Sequence, residues 1–179
     1  MVHNHATPNN YVHTVSFFIF RTDFTEPKLL LHVHRKHKLL MMFGGHVEFG
    51  ENPWETFLRE LGEETGYAPS QLQVLQPWVK SPALGGEAVF HPIPASSSSG
   101  EYSACDFKHF WTDTAYALTV TGEPLGIPDE GESKDFTLVT YEELKNLSSE
   151  KVVDMWRKSA LHIFENHLQG WVEVPVSSF

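Results

Sequence analysis

The order of elements in this chain predicts an α/β fold in which a mixed β-sheet is held between helices. Three observations carry that expectation. Strand-like runs rich in β-branched and aromatic residues lie between Tyr11 and Phe43, a capped amphipathic helix spans 52–66, and further strand-like runs lead to a long apolar-striped helix ending near Gly170.

Taken in order, residues 1–10 are polar, with His3, His5 and Pro8, and are expected to form a flexible arm. Tyr11 to Phe20 reads as a mostly buried strand. Lys28 to His34 sets Leu29, Leu31 and Val33 against Leu30, His32 and His34, the two faces of a second strand. Leu39 to Phe43 is a short strand that delivers the chain to Gly44-Gly45, where two glycines permit a tight turn and close backbone approach. The helix that follows has Asn52 as N-cap, Pro53 in the first turn, Glu55 as capping-box partner and Gly66 as terminator. Its apolar stripe is Trp54, Phe57, Leu58 and Leu61.

Beyond the helix, Gln71 to Lys80 and Asp106 to Val120 read as strands, with a short one over Glu87 to His91. Residues 92–100 combine two prolines, the run Ser96 to Ser99 and Gly100; such composition buries little apolar surface, so a mobile loop is expected. Thr121 to Lys134 is an acidic loop, Phe136 to Val139 a strand, and Thr140 with Glu143 a capping box opening a short helix. Ser148 or Ser149 is expected to cap the last helix, whose stripe, Trp156 included, reads as core. Trp171 to Phe179 is apolar enough to dock on the domain or on a second copy, as a homodimer. The expected division is an arm (1–10), one domain (11–170) and a tail (171–179).

Composition narrows the function. The 179 residues carry a formal net charge of −10, which disfavours duplex nucleic acid as partner, because that binding neutralises phosphates with Lys and Arg. No apolar run reaches the ~20 residues of a membrane span, and the N-terminal residues lack a basic flank and apolar core. The single Cys105 suits a reducing compartment. A cytoplasmic protein acting on a small molecule is expected.

On the 52–66 helix, Glu60 and Glu64 form an i,i+4 like-charge pair, with Glu63 beside them and Glu48 and Glu51 upstream. Such pairs destabilise a bare helix by about 0.2–0.5 kcal/mol. A hard cation among them reverses the sign, and Mg²⁺ favours carboxylate oxygens together with substrate phosphate. The spacing of Gly45, Glu51, Arg59, Glu60, Leu61, Glu63, Glu64 and Gly66 resembles the Nudix box at every fixed position; only Tyr67 replaces the usual aliphatic residue.

The resemblance implies an α/β/α Nudix sandwich, with the box as a loop-helix-loop, and a Nudix hydrolase that cleaves a diphosphate linkage in a nucleoside diphosphate joined to another moiety. It implies Mg²⁺, with Mn²⁺ as substitute, held by Glu60, Glu63 and Glu64 with the Gly45 carbonyl. Glu63 or Glu60 within the box, or Glu132 outside it, would be the general base. Arg59 would pair with Glu51 to hold the loop-helix geometry. Low in the hierarchy of site residues are His34 and Arg35, as a pocket wall or plain surface, and His109, which with Asp113 is similar to a His/Asp alternation in relatives. Trp78, Phe90 or Trp111 would stack on a base, or simply pack. Two other readings stay open: a non-hydrolytic nucleotide-ligand sensor on the same fold, and a prenyl diphosphate isomerase, whose cysteine would have to be Cys105. The substrate would be a nucleotide or nucleotide derivative: an ADP-ribose-like compound, an altered-base nucleoside triphosphate, a dinucleoside polyphosphate or a nucleotide sugar.

Overall fold

The structure is a computed structural model that describes residues 11–78, 90–102 and 109–179. Its spine is a parallel pair, β1 (Tyr11–Arg21) and β7 (His109–Val120), in register from Tyr11 opposite Phe110 to Arg21 opposite Val120. Both strands are long enough to take two antiparallel neighbours on each outer edge. Beside β1, β2 (Lys28–Val33) pairs with Ile19 to Arg21, while β4 (Phe43–His46) pairs with Thr14 to Phe17. Beside β7, β5 (Leu72–Gln76) takes the upper part and β6 (Ser96–Tyr102) the lower. Strands β3 (Leu40–Met41) and β8 (Phe136–Val139) extend β2, and β9 (Val172–Pro175) extends β5.

Burial on both faces explains the continuous apolar run Phe17 to Phe20 in β1, as expected for a strand with a parallel neighbour inside a layered fold. Val15, Phe17 and Ile19 face helix α1 (Pro53–Thr65), where Phe17 meets Phe57 edge-on at 5.2 Å. Phe18 and Phe20 face α2 (Tyr141–Asn146) and α3 (Asp154–Asn166), with Phe20 against Phe164 at 4.8 Å. This is the mixed sheet between helices of an α/β/α sandwich. The α1 caps are formed as their residue types dictate: Asn52 accepts from Trp54 N and Glu55 N, Glu55 accepts from Asn52 N, and Gly66 closes the helix at φ 72°.

Three segments depart from the sequence reading. Residues 96–100, expected within a mobile loop, form strand β6 together with Glu101 and Tyr102, because ladder bonds to the lower edge of β7 need only backbone. Gly100 permits close approach of the Trp111 indole, 2.7 Å from where a Cβ would stand. The last helix begins at Asp154, with Val153 at its N-cap, instead of at Ser148 or Ser149. Residues 148–152 instead form a turn on Ser148 O, which lets Lys151 O accept from Leu40 N at 2.8 Å. The strand expected over 71–80 is confined to Leu72–Gln76 and follows a 3₁₀ turn, Pro69–Gln71.

The final residues join the sheet as β9 and a 3₁₀ turn, Val176–Ser178, with Val174 and Val176 buried and Phe179 against Trp54 at 5.9 Å. The 1–10 arm, most of the strand expected over 87–91, Cys105 and the His109 side chain lie outside the described residues. Among the described residues no helix is long and apolar enough to cross a membrane.

Candidate active site

Strand β4 and helix α1 meet at the double glycine, and each glycine does something different there. Gly44 has φ 144°, and a Cβ on it would collide with the Val15 carbonyl of β1. Its N–H donates to Glu64 Oε2 at 2.7 Å. A Cβ on Gly45 would instead occupy the position of the Glu60 carboxylate. The pair thus anchors one acid through its backbone and leaves a cradle for the other.

Both acids are largely removed from water. Glu64 is 8% exposed, and burial pushes its pKa up to about 8 against the opposing pull of the Gly44 N–H. Burial also raises Glu60, against the Arg59 guanidinium, and the negative charges of Glu63 and Glu132 push both acids further up. Glu63 is more open, with its side chain 41% exposed.

Arg59 holds the cluster together. Its Nε donates to Glu51 Oε1 at 2.8 Å, Nη1 to Glu60 at 2.7 Å and Glu63 at 3.1 Å, and Nη2 to the His46 carbonyl at 3.2 Å. Glu51, which also accepts from Thr56 Oγ1 and Glu48 N, is lowered to about 2, chiefly by Arg59. In this geometry the acids do not converge on one point, since Arg59 draws Glu60 and Glu63 while Glu64 turns to Gly44; among the described residues no ready-made cluster of metal-ligating side chains is found. The donor set still fits a hard divalent cation. Hard carboxylate oxygens of a buried Glu64 and a part-buried Glu60, both raised chiefly by burial, sit beside Gly45, whose missing side chain leaves open the space that Glu60 occupies.

Glu132 comes from the 121–135 loop, which is fastened to the end of α1. Gly126 N donates to Gly66 O at 2.9 Å and Asp129 N to Glu63 O at 2.8 Å. A Cβ on Gly66 would stand 2.7 Å from the Gly126 backbone. The exposed Glu132 thereby lies close enough to Glu60 and Glu64 to raise both. Tyr67, the departure from an aliphatic residue, belongs to the same arrangement: its hydroxyl donates to Gly122 O at 3.0 Å, beside the buried Arg21 that pairs with Asp23 and Glu123.

A cleft of about 260 Å³ is lined by Glu64, Gly44 and Gly45. His32 and His34 line it, and Met41, Met42 and Trp156 also contribute. Burial lowers His32 to about 4 and lowers His34 as well, so His32 is neutral at pH 7. His34 Nδ1 accepts from Lys36 N and His37 N, which leaves its proton on Nε2. Arg35 donates to the Gly131 carbonyl and so braces the loop of Glu132.

Trp78 and Phe90 are exposed and do not line this cleft, and Trp111 covers Gly100 instead. The aromatic residue at the cleft is Trp156, read from sequence as core. Thr14 and Ser16 also line it and were not singled out; two hydroxyl residues at alternate positions just before the apolar run Phe17 to Phe20 were the available signal.

A NUDIX domain family model matches residues 12–159. Among solved structures, the chain is similar to a NUDIX-family hydrolase from Clostridium perfringens, at 29% identity and TM-score 0.64, over 86% of this chain and 95% of that one. It shares its fold with the Caenorhabditis elegans Ap4A hydrolase (15% identity, TM-score 0.57, 86% and 98% covered). The same holds for the Escherichia coli dihydroneopterin triphosphate pyrophosphohydrolase (14%, 0.57, 85% and 93%). No curated protein matches. With the box acids, their glycines and the sandwich in place, the chain belongs to the NUDIX family and is a NUDIX hydrolase.

Proposed function

We propose that the protein is a Mg²⁺-dependent pyrophosphohydrolase that cleaves a diphosphate linkage in a nucleoside diphosphate joined to another moiety, with Mn²⁺ able to replace Mg²⁺. The observation that carries this reading is the glycine pair, which leaves room for Glu60 and anchors Glu64 in the lining of a cleft of about 260 Å³. Glu60, Glu63 and Glu64, with the Gly45 carbonyl, would hold the cation. When bound, the cation supplies positive charge against the phosphate oxygens and lowers the pKa of water at the site.

The residues of the chain divide the remaining work. Arg59 keeps Glu60 and Glu63 from repelling each other before the cation arrives, and Glu51 fixes the position of Arg59. Glu132 stands on a separate loop, exposed, and is the candidate to take the proton as water attacks phosphorus and the phosphoanhydride P–O bond breaks. Glu60 and Glu63, engaged with Arg59, are less suited to that step.

The test is release of phosphate or phosphatase-sensitive products from ADP-ribose-like compounds, nucleoside triphosphates, dinucleoside polyphosphates and nucleotide sugars, with and without Mg²⁺ or Mn²⁺. Cation-dependent turnover is expected, falling on the order of 10²-fold or more in Glu64→Gln and Glu132→Gln, with circular dichroism unchanged. In Glu132→Gln the cation dependence should persist. Turnover indifferent to both substitutions overturns the assignment. Ligand-induced thermal shifts without turnover would favour the sensor reading.

A further inference from the structure

The loop that joins β2 to β3 is folded around one side chain. His34 Nδ1 accepts from Lys36 N at 3.3 Å and His37 N at 3.2 Å, and Lys38 N donates to the His34 carbonyl at 2.8 Å. Accepting from the backbone two residues on is what Asn or Asp ordinarily does at a turn. A histidine does the same with Nδ1 and brings a second ring nitrogen besides. With Nδ1 accepting, the proton of the neutral ring is on Nε2, and among the described residues nothing accepts it. Burial, with His37 and Lys36 nearby, lowers the His34 pKa, so the ring holds that neutral form at pH 7.

His34 lines the cleft that Glu64, Gly44 and Gly45 also line. His32, buried against Phe43 of the α1-side core at 4.8 Å, meets the His34 ring edge-on at 6.0 Å, which sets both rings on the side of the sheet that carries the acids. The next residue, Arg35, donates to the carbonyl of Gly131, the neighbour of Glu132. His34 thus borders both the cleft of Glu64 and the loop of Glu132.

A diphosphate placed there presents only acceptor oxygens, and the other polar side chains of the cleft are poorly suited to meet them. Thr14 Oγ1 and Ser16 Oγ give their single protons to Asp113 Oδ1, at 2.7 and 2.9 Å. His32 is buried and bonded to the Met42 backbone. Trp156 carries an indole N–H, but on α3, across the sheet from α1. An ammonium or guanidinium in place of His34 would be drawn to the glutamates, as Arg59 is. A neutral N–H is not.

We propose that His34 is a phosphate-binding donor of this site: its Nε2–H donates to a non-bridging oxygen of the substrate's diphosphate, while its Nδ1 holds the loop that presents it. This rests on the hydrolase reading for the placement of the diphosphate. The bond strengthens as negative charge gathers on that oxygen during attack by water.

Calorimetric binding of α,β-methylene-ADP and of methylenediphosphonate, each with Mg²⁺, tests the donor without requiring turnover. His34→Asn keeps an acceptor for the Lys36 and His37 N–H groups and removes Nε2–H. It should weaken both ligands by the same factor, about tenfold or more, the scale of a hydrogen bond to a charged group, with the melting temperature unchanged. His34→Gln reaches the Nε2 position with an amide N–H₂ and gives up the loop acceptor, so it should recover most of the affinity while melting lower. In the wild type, ¹H–¹⁵N spectra of the imidazoles should show His34 as the Nε2–H tautomer, with that proton moving downfield when methylenediphosphonate binds. The proposal is overturned by a wild type that binds neither ligand, by the Nδ1–H tautomer, by His34→Asn binding both ligands as the wild type does, or by a folded His34→Gln as weak as His34→Asn. A loss confined to α,β-methylene-ADP also overturns it, since the donor would then read the nucleoside. Binding that follows these expectations without turnover of any substrate would sink the hydrolase reading alone, and turnover with His34→Asn binding unimpaired would sink the donor alone.

Discussion

Gly44 and Gly45 are adjacent, both backed by β1, and will respond differently to the same substitution. An alanine at Gly44 meets backbone, the Val15 carbonyl, at a φ that L-residues avoid. We expect Gly44→Ala to lower unfolding free energy by about 1–3 kcal/mol, read by urea titration. An alanine at Gly45 meets only the movable end of Glu60. Gly45→Ala should melt close to the wild type yet lose tenfold or more in cation affinity or turnover. Glu64 adds a pH signature. Its folded pKa, about 8, lies above the ordinary 4.5, so the stability associated with its neutral form is fully present below 4.5 and is lost as pH rises through 8. In chelator, the wild type should lose stability from pH 5 to 8 more steeply than Glu64→Gln, and affinity for the divalent cation should climb over the same window as the proton is displaced. A parallel pH dependence in the two proteins would show that Glu64 ionises normally.

The box helix was legible because its determinants are local. Asn52, Pro53, Glu55 and Gly66 act within a few residues of themselves, and all four perform as their types prescribe. The Arg59–Glu51 ion pair, implied by resemblance, is present at 2.8 Å. Strand β6 and the start of α3 were not legible, since both depend on which edge lies nearby: β7 for the serines, β3 for residues 148–152. The same limit hid Trp156, whose helical spacing says that it faces the protein and cannot say that a cleft lies there. At this scale Gly66→Ala is informative. It strains the αL cap and presses on Gly126, so it should destabilise α1 by about 1 kcal/mol or more and also reduce kcat by displacing Glu132, whereas a cap defect alone would leave kcat intact.

Across the molecule, the C-terminal residues are part of the sheet. Val174 and Val176 are buried in the α1-side core and β9 completes the edge of β5. Ending the chain after Gly170 should expose that edge and the ring of Trp54, giving a lower melting temperature and concentration-dependent aggregation. A truncated chain that melts like the full one would show β9 to be dispensable. The layered order of strands and helices was readable from sequence because alternation and helical stripes report which side is buried. The pairing of β1 with β7 was not, because nearly ninety residues separate Arg21 from His109 and nothing in either run names its partner.

That pairing ties two properties of the protein to one short piece of chain. Thr14 to Ser16 touches the glycine pair through one edge and Asp113 through the other. A change there would be felt by the Gly44–Glu64 contact on one side and by the hydroxyl bonds to Asp113 on the other. Trp156 and Met41 border the same cleft from outside this strand. Divergence toward new substrates has more freedom on that side, where a substitution can reshape the cleft without passing through the residues that hold the carboxylates.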